Sequence, residues 1–152
     1  MNIEIKLINI KMIFYISLII SLLIDLLTKY IAFNYLNWKI EIIWSYFYFE
    51  YFENTWIAFS MQLPFIKIIT IILILWIFYY YFKEERNNNN KIVDLSFWFI
   101  LWWAIWNGIE RVINWKVIDF LWIKNFSIFN MADVFISIWA IIYTIYIFKN
   151  NK

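Results

Sequence analysis

The chain has 152 residues, 65% of them hydrophobic and 16% charged, and its long apolar runs place it among membrane proteins rather than soluble domains. A net charge of +2, with no dense basic stretch, excludes nucleic acid as a partner. With no Cys and no His, thiol nucleophiles, imidazole bases, disulfides and the usual zinc sites are excluded, so chemistry must come from carboxylates, Lys, Arg, hydroxyls and amides, with neither metal nor cofactor.

Four apolar segments, at about 12–33, 65–82, 92–109 and 131–148, each approach the roughly 17 to 25 residues that cross a hydrocarbon core. They predict an all-α membrane protein, one domain over 1–152, with four transmembrane helices and a small extracytoplasmic β-element. Lys6 and Lys11 precede the first segment as in a secretory signal, but its length and the lack of a small-residue cleavage site predict a retained helix. Lys6, Lys11, Lys83, Arg86, Lys91, Lys149 and Lys152 fall on one side of the predicted helices, and Lys39, Lys116 and Lys124 on the other. The basic excess puts both termini and the low-complexity "KEERNNNNK" loop in the cytoplasm. Two connections, 34–64 and 110–130, then lie outside.

In the first, "EIIWSYFYFEYFE" alternates Tyr46, Tyr48 and Glu50 against Phe47, Phe49 and Tyr51, a strand pattern suited to the membrane surface, where Tyr and Trp are at home. Asn54 and Thr55 follow, set oddly beside the bulk of Trp56.

Ionisable residues within or at the rim of membrane helices are costly and therefore candidates for function. Asp25 and Lys29, at i and i+4 in the first helix, are either a self-neutralising anchor or part of a site. Asn107 and Arg111 repeat that spacing in the third helix, with Glu110 beside them, as interhelical glue or as site residues. Asp119 in "VIDF" and Asp133 in "FNMAD" both map to the outer face, where a loop folding back would bring them together. Asp133 could instead cap the fourth helix, and Asn130 could orient its carboxylate or hold a substrate carbonyl. Two carboxylates meeting in a partly dry site share one proton, so that one activates water while the other polarises a peptide carbonyl. A non-enzymatic four-helix protein with structural polar contacts is the bland alternative. A proton-relaying transporter would place its acids near mid-membrane, whereas these cluster at one rim.

The stretches "DLLTKY" (25–30), "NTWIAFS" (54–60), "WWAIWNGIERVINWKVIDF" (102–120) and "FNMAD" (129–133) together resemble those of the lipoprotein signal peptidases, or signal peptidase II, over nearly the whole chain. The resemblance implies a multi-pass aspartic endopeptidase of the cell inner membrane with its active site at the outer face. Such an enzyme removes signal peptides from diacylglyceryl-modified prolipoproteins, meets its substrate and membrane lipid, and is expected to act as a monomer. It assigns the catalytic pair to Asp119 and Asp133. Asn54, Asn107, Arg111 and Asn130 then surround the site, and Asp25 with Lys29 forms the first-helix pair.

The departures from the family share a direction. Trp56, Trp102, Trp103, Trp106, Trp115 and Trp139 stand where the family has glycine, and Glu110 stands where it has Asp. The chain holds one Gly and 11 Trp, although usual composition gives roughly 7% glycine. Either this is a decayed, inactive relative, or its gene comes from an organism that reads UGA as glycine. A single cause explains the glycine shortage, the tryptophan excess and the coincidence of positions in the second case.

Overall fold

The computed structural model describes residues 2–55, 66–86 and 90–150, excepting the side chains of 2–13 and 66–67. Helix α1 (Asn2–Tyr35) leads into strands β1 (Ile40–Ile43) and β2 (Phe47–Asn54). Helix α2 (Ile66–Tyr80) ends in a π-helical turn, Tyr81–Glu85, and is followed by α3 (Lys91–Asn114), β3 (Val117–Ile123), β4 (Ser127–Phe129) and α4 (Met131–Asn150). The chain is thus mostly helical with one small antiparallel sheet of order β1-β2-β3-β4.

Three described helices are long and apolar enough to cross a membrane: Phe14–Tyr35, Lys91–Asn114 and Met131–Asn150. The remaining predicted crossing, 65–82, is helical from Ile66 to Tyr80 and continues directly into the π-helical turn Tyr81–Glu85. Trp56 and the rest of 56–65 lie outside the described residues, as do 87–89 of the asparagine run.

The strand-like stretch "EIIWSYFYFEYFE" (41–53) is present not as one strand but as the β1–β2 hairpin with its turn at 44–46, and the connection 110–130 also differs from expectation. Helix α3 runs on to Asn114, and the rest forms the β3–β4 hairpin. The run "VIDFLWI" carries the β-branched and aromatic content of a strand. Across the sheet Phe49 pairs with Leu121 but Phe52 with Asp119, so β2 carries one extra residue there, a β-bulge beside Asp119. The sheet packs over one end of the helices: Phe120 and Leu121 cluster with Ala32 of α1, with Leu36 just beyond its end, and with Met131 and Val134 of α4. At the opposite end Glu85 is buried and accepts hydrogen bonds from the hydroxyls of Tyr143 (2.6 Å) and Tyr80 (3.3 Å), joining α4 to the end of α2.

Local geometry singles out several tryptophans. Helix α3 starts under the Asn90 side chain, which accepts from the N–H groups of Ile92 and Val93. It ends at Trp115, whose φ of 63° and ψ of 3° are left-handed and whose N–H bonds Arg111 O at 3.1 Å. Helices commonly stop this way, with glycine in that place. Trp44, in the β1–β2 turn, also has a positive φ of 39°. Asn125 at φ 62° is a residue type that tolerates it. Trp103 is fully buried and stacks on Phe135 at 5.1 Å, while Trp139 stacks on Phe99 at 4.4 Å. The buried indole N–H groups of Trp103 and Trp106 find no acceptor among the described residues, an uncommon state for a buried indole. Gly108 permits close packing: a Cβ there would lie 3.3 Å from Ile74 Cδ1 and 3.5 Å from Thr70 Cγ2 on α2.

Candidate active site

The polar residues singled out in the sequence converge beneath the sheet. Asn54 pairs with Val117 across β2 and β3, and Asp119 lies two residues along the same face. This diagonal relation lets Asn54 Nδ2 donate to Asp119 Oδ2 at 2.5 Å. The other oxygen, Oδ1, accepts from Asn130 Nδ2 at 2.7 Å. Asp119 is 1% exposed. Burial, and after it the charge of Asp133, push its carboxyl up to about 7, against the hydrogen bonds from Asn54 and Asn130 and the charge of Arg111, which pull it down.

Asp133 occupies the first turn of α4. Its Oδ2 accepts from Asn130 N at 3.2 Å, while its own N–H donates to Asn130 Oδ1 at 3.1 Å. This is a reciprocal capping box. Capping and site membership are one arrangement here, because the box fixes the Asn130 amide: with Oδ1 held by the helix N-terminus, Nδ2 must point outward to Asp119. The second Asp133 oxygen accepts from Asn107 Nδ2 at 3.0 Å.

Behind this pair lies a buried ionic cluster. Lys29 Nζ meets Asp25 Oδ2 at 2.7 Å, an ion pair whose angle falls short of a hydrogen bond, and donates to both oxygens of Glu110 at 2.9 and 3.0 Å and to Asn107 Oδ1 at 3.2 Å. Asp25 Oδ1 takes the N–H of Ala132 at 3.0 Å, satisfying another open amide at the start of α4. The Asp25–Lys29 pair therefore does more than neutralise itself, since it ties α1 to α3 and α4 at the turn that carries Asp133. Arg111 donates to Asn107 O at 3.5 Å and reaches the same opening.

Asp119 and Asp133 both line one cavity of about 440 Å³, together with Asn54, Arg111 and Ser127. Its apolar wall, Val134, Ile138 and Ile141 on α4, escaped the sequence reading, although their i, i+4, i+7 spacing marks a single helical face. Glu110, noted in the sequence as a neighbour of Arg111 and as a departure from the family's Asp but not as a site residue, is the carboxylate that completes the Lys29 cluster.

Two carboxylates at one end of a layer of membrane helices, one of them holding its proton near neutral pH, are the equipment of a membrane hydrolase of the aspartic type. Residues 17–149 match the family model described as signal peptidase (SPase) II, so the chain belongs to the signal peptidase II family and is a membrane protease. It is 35% identical to a lipoprotein signal peptidase of Microcystis aeruginosa over 91% of this chain and 94% of that one. Identity to a lipoprotein signal peptidase of Clostridium tetani is 32%, over 90% of this chain and 92% of the relative. A solved bacterial membrane enzyme shares the fold with a TM-score of 0.72 at 24% identity, covering 91% of this chain and 89% of its own.

Proposed function

We propose that the chain removes signal peptides from diacylglyceryl-modified prolipoproteins, with Asp119 and Asp133 as its catalytic pair. The observation that carries this is the cavity lined by both carboxylates and tied together by Asn130, whose side chain holds one and whose backbone N–H holds the other. Asp119, the more buried, keeps the shared proton at neutral pH and donates it to the scissile carbonyl oxygen. Asp133, ionised and steadied by Asn107 and Asn130, takes a proton from the attacking water as the new C–O bond forms. Collapse of the tetrahedral intermediate returns a proton to Asp119, and the one on Asp133 passes to the leaving amine as the C–N bond breaks. Val134, Ile138 and Ile141 offer an apolar wall to a substrate that stays in lipid while its peptide bond is held at the carboxylates.

In this proposal four helices cross the membrane, both termini are cytoplasmic and the sheet covers an active site at the outer face, as the distribution of basic residues favours. The protein is proposed to act as a monomer. The working protein carries glycine at the suspect tryptophans, a proposal supported by the left-handed backbone of Trp115 and extended by that of Trp44.

Two tests bear on the pair directly. Cleavage of a diacylglyceryl prolipoprotein in lipid is expected to fall as pH rises through about 7, where Asp119 loses its proton. The sign follows from its role as acid, and a rate that stays flat across that range contradicts it. Asn130→Ser keeps a cap for α4 but removes the amide that reaches Asp119. It is expected to hold thermal stability near the parent while lowering cleavage, whereas Asn130→Ala should lose both, with about 1 kcal/mol of stability from the cap. Equal cleavage by the parent and Asn130→Ser would leave Asn130 a cap and nothing more.

A further inference from the structure

We propose that Lys29 is a positioning residue of the peptidase, holding the Asn107 amide in the orientation that donates a hydrogen bond to Asp133; this rests on Asp119 and Asp133 being the catalytic pair. Lys29 is 4% exposed, at the centre of polar contacts from two helices, α1 and α3. An ammonium has three N–H donors and no acceptor, and the partners here are Asp25, Glu110 and Asn107 Oδ1. Because Lys29 only donates, Asn107 must present its carbonyl oxygen to it. The NH₂ group is thereby turned the other way, to Asp133 Oδ1 at 3.0 Å. Asn130 Nδ2, reaching the same Asn107 oxygen at 3.4 Å, reinforces the orientation.

Two of the three amides that contact the carboxylate pair, Asn130 and Asn107, are thus locked from behind. The α4 capping box fixes Asn130, and the buried ammonium fixes Asn107. Without that ammonium only the long 3.4 Å contact from Asn130 keeps the Asn107 oxygen turned away from Asp133, too little to stop the amide turning by half a rotation. Its oxygen would then face the carboxylate of Asp133, and the water-activating group would lose a donor. Asp25 and Glu110 hold Lys29 in place from two different helices, α1 and α3. Asp25 also grips Ala132, the residue preceding Asp133, so the amide and its target keep a fixed spacing.

The test is a double-mutant cycle followed by single-turnover cleavage of a diacylglyceryl prolipoprotein, which resolves slow variants. Lys29→Met is expected to lower the cleavage rate roughly 10- to 100-fold, the size of one hydrogen bond to a charged group, with KM within about twofold. In an Asn107→Ala background the same substitution is expected to cost nothing further, because its route to Asp133 is already cut. Lys29→Met alone leaves two carboxylates buried and can fail to fold. The neutral variant Lys29→Met/Asp25→Asn/Glu110→Gln avoids this, and Asp25→Asn retains an oxygen for the Ala132 N–H. It should be folded and still slow. Losses that multiply in the cycle, or a neutral variant as fast as the parent, overturn the proposal for Lys29. Activity in Asp133→Asn instead overturns the catalytic pair.

Discussion

Asp119→Asn and Asp133→Asn are each expected to remove at least about 10³-fold of the cleavage rate, in line with loss of a positioned acid or base, while the protein stays folded. An amide cannot hold the shared proton at position 119 or accept one from water at position 133. The double variant should be no slower than either single one, because in the proposed pair the two carboxylates act as a unit on one proton. Thermal unfolding in the same lipid or detergent separates chemistry from folding. The environments differ: Asp119 is pinned by two asparagine amides, from β2 and from the turn before α4, whereas Asp133 is partly open and built into the α4 cap. Asn54→Ala, which removes only one of the Asp119 donors, should therefore cost far less than Asp119→Asn. Full cleavage by either Asp→Asn variant would show that the carboxylates serve the fold alone.

The sequence made the site legible because the membrane makes polar residues conspicuous. In a chain that is 65% hydrophobic, Asp25, Lys29, Asn107 and Arg111 stand out inside apolar runs, and their i, i+4 spacing assigns each pair to one helix face. All four come together with the carboxylates at one end of the bundle. Two alternatives weighed separately for Asp133, cap or site, are compatible in one geometry, since one oxygen serves the α4 cap and the other accepts from Asn107 beside the cavity, which pattern alone cannot reveal. The β3–β4 hairpin was less legible. Asp119 attracted notice as a candidate acid in a polar connection, and its own strand context, "VIDFLWI", was passed over. The bulge opposite Asp119 could not be foreseen, since register depends on pairing between segments 65 residues apart, as with Asn54 and Asp119. The role of Glu110 was hidden for the same reason. Its partner lies on another helix, and no local spacing links them.

The sign of one substitution separates a decayed relative from a recoded one. Trp→Gly normally destabilises, through lost contacts and added backbone freedom. Trp115 and Trp44 are 72% and 82% exposed, so little packing is lost there, and both have the left-handed backbone that costs an ordinary L residue about 1–2 kcal/mol. Trp115→Gly and Trp44→Gly are therefore expected to raise the unfolding temperature, together by several degrees. Trp103 makes the opposite test, since it is fully buried and stacked on Phe135. In a relative whose core has repacked around the indole, Trp103→Gly should cost about 3–5 kcal/mol, as for other large-to-small core changes. In a recoded protein the same change relieves the buried indole N–H that finds no acceptor among the described residues and lets α3 approach α4 as small residues allow. Trp103→Gly, combined with Trp56→Gly, Trp102→Gly, Trp106→Gly, Trp115→Gly and Trp139→Gly, should then give a more stable and more active peptidase. The gene provides the independent check, with UGA expected at these codons and a GGN codon at Gly108. UGG at Trp56, Trp102, Trp103 and Trp106, or a multiply substituted variant less stable than the parent, would instead identify tryptophan as the residue this fold has accommodated.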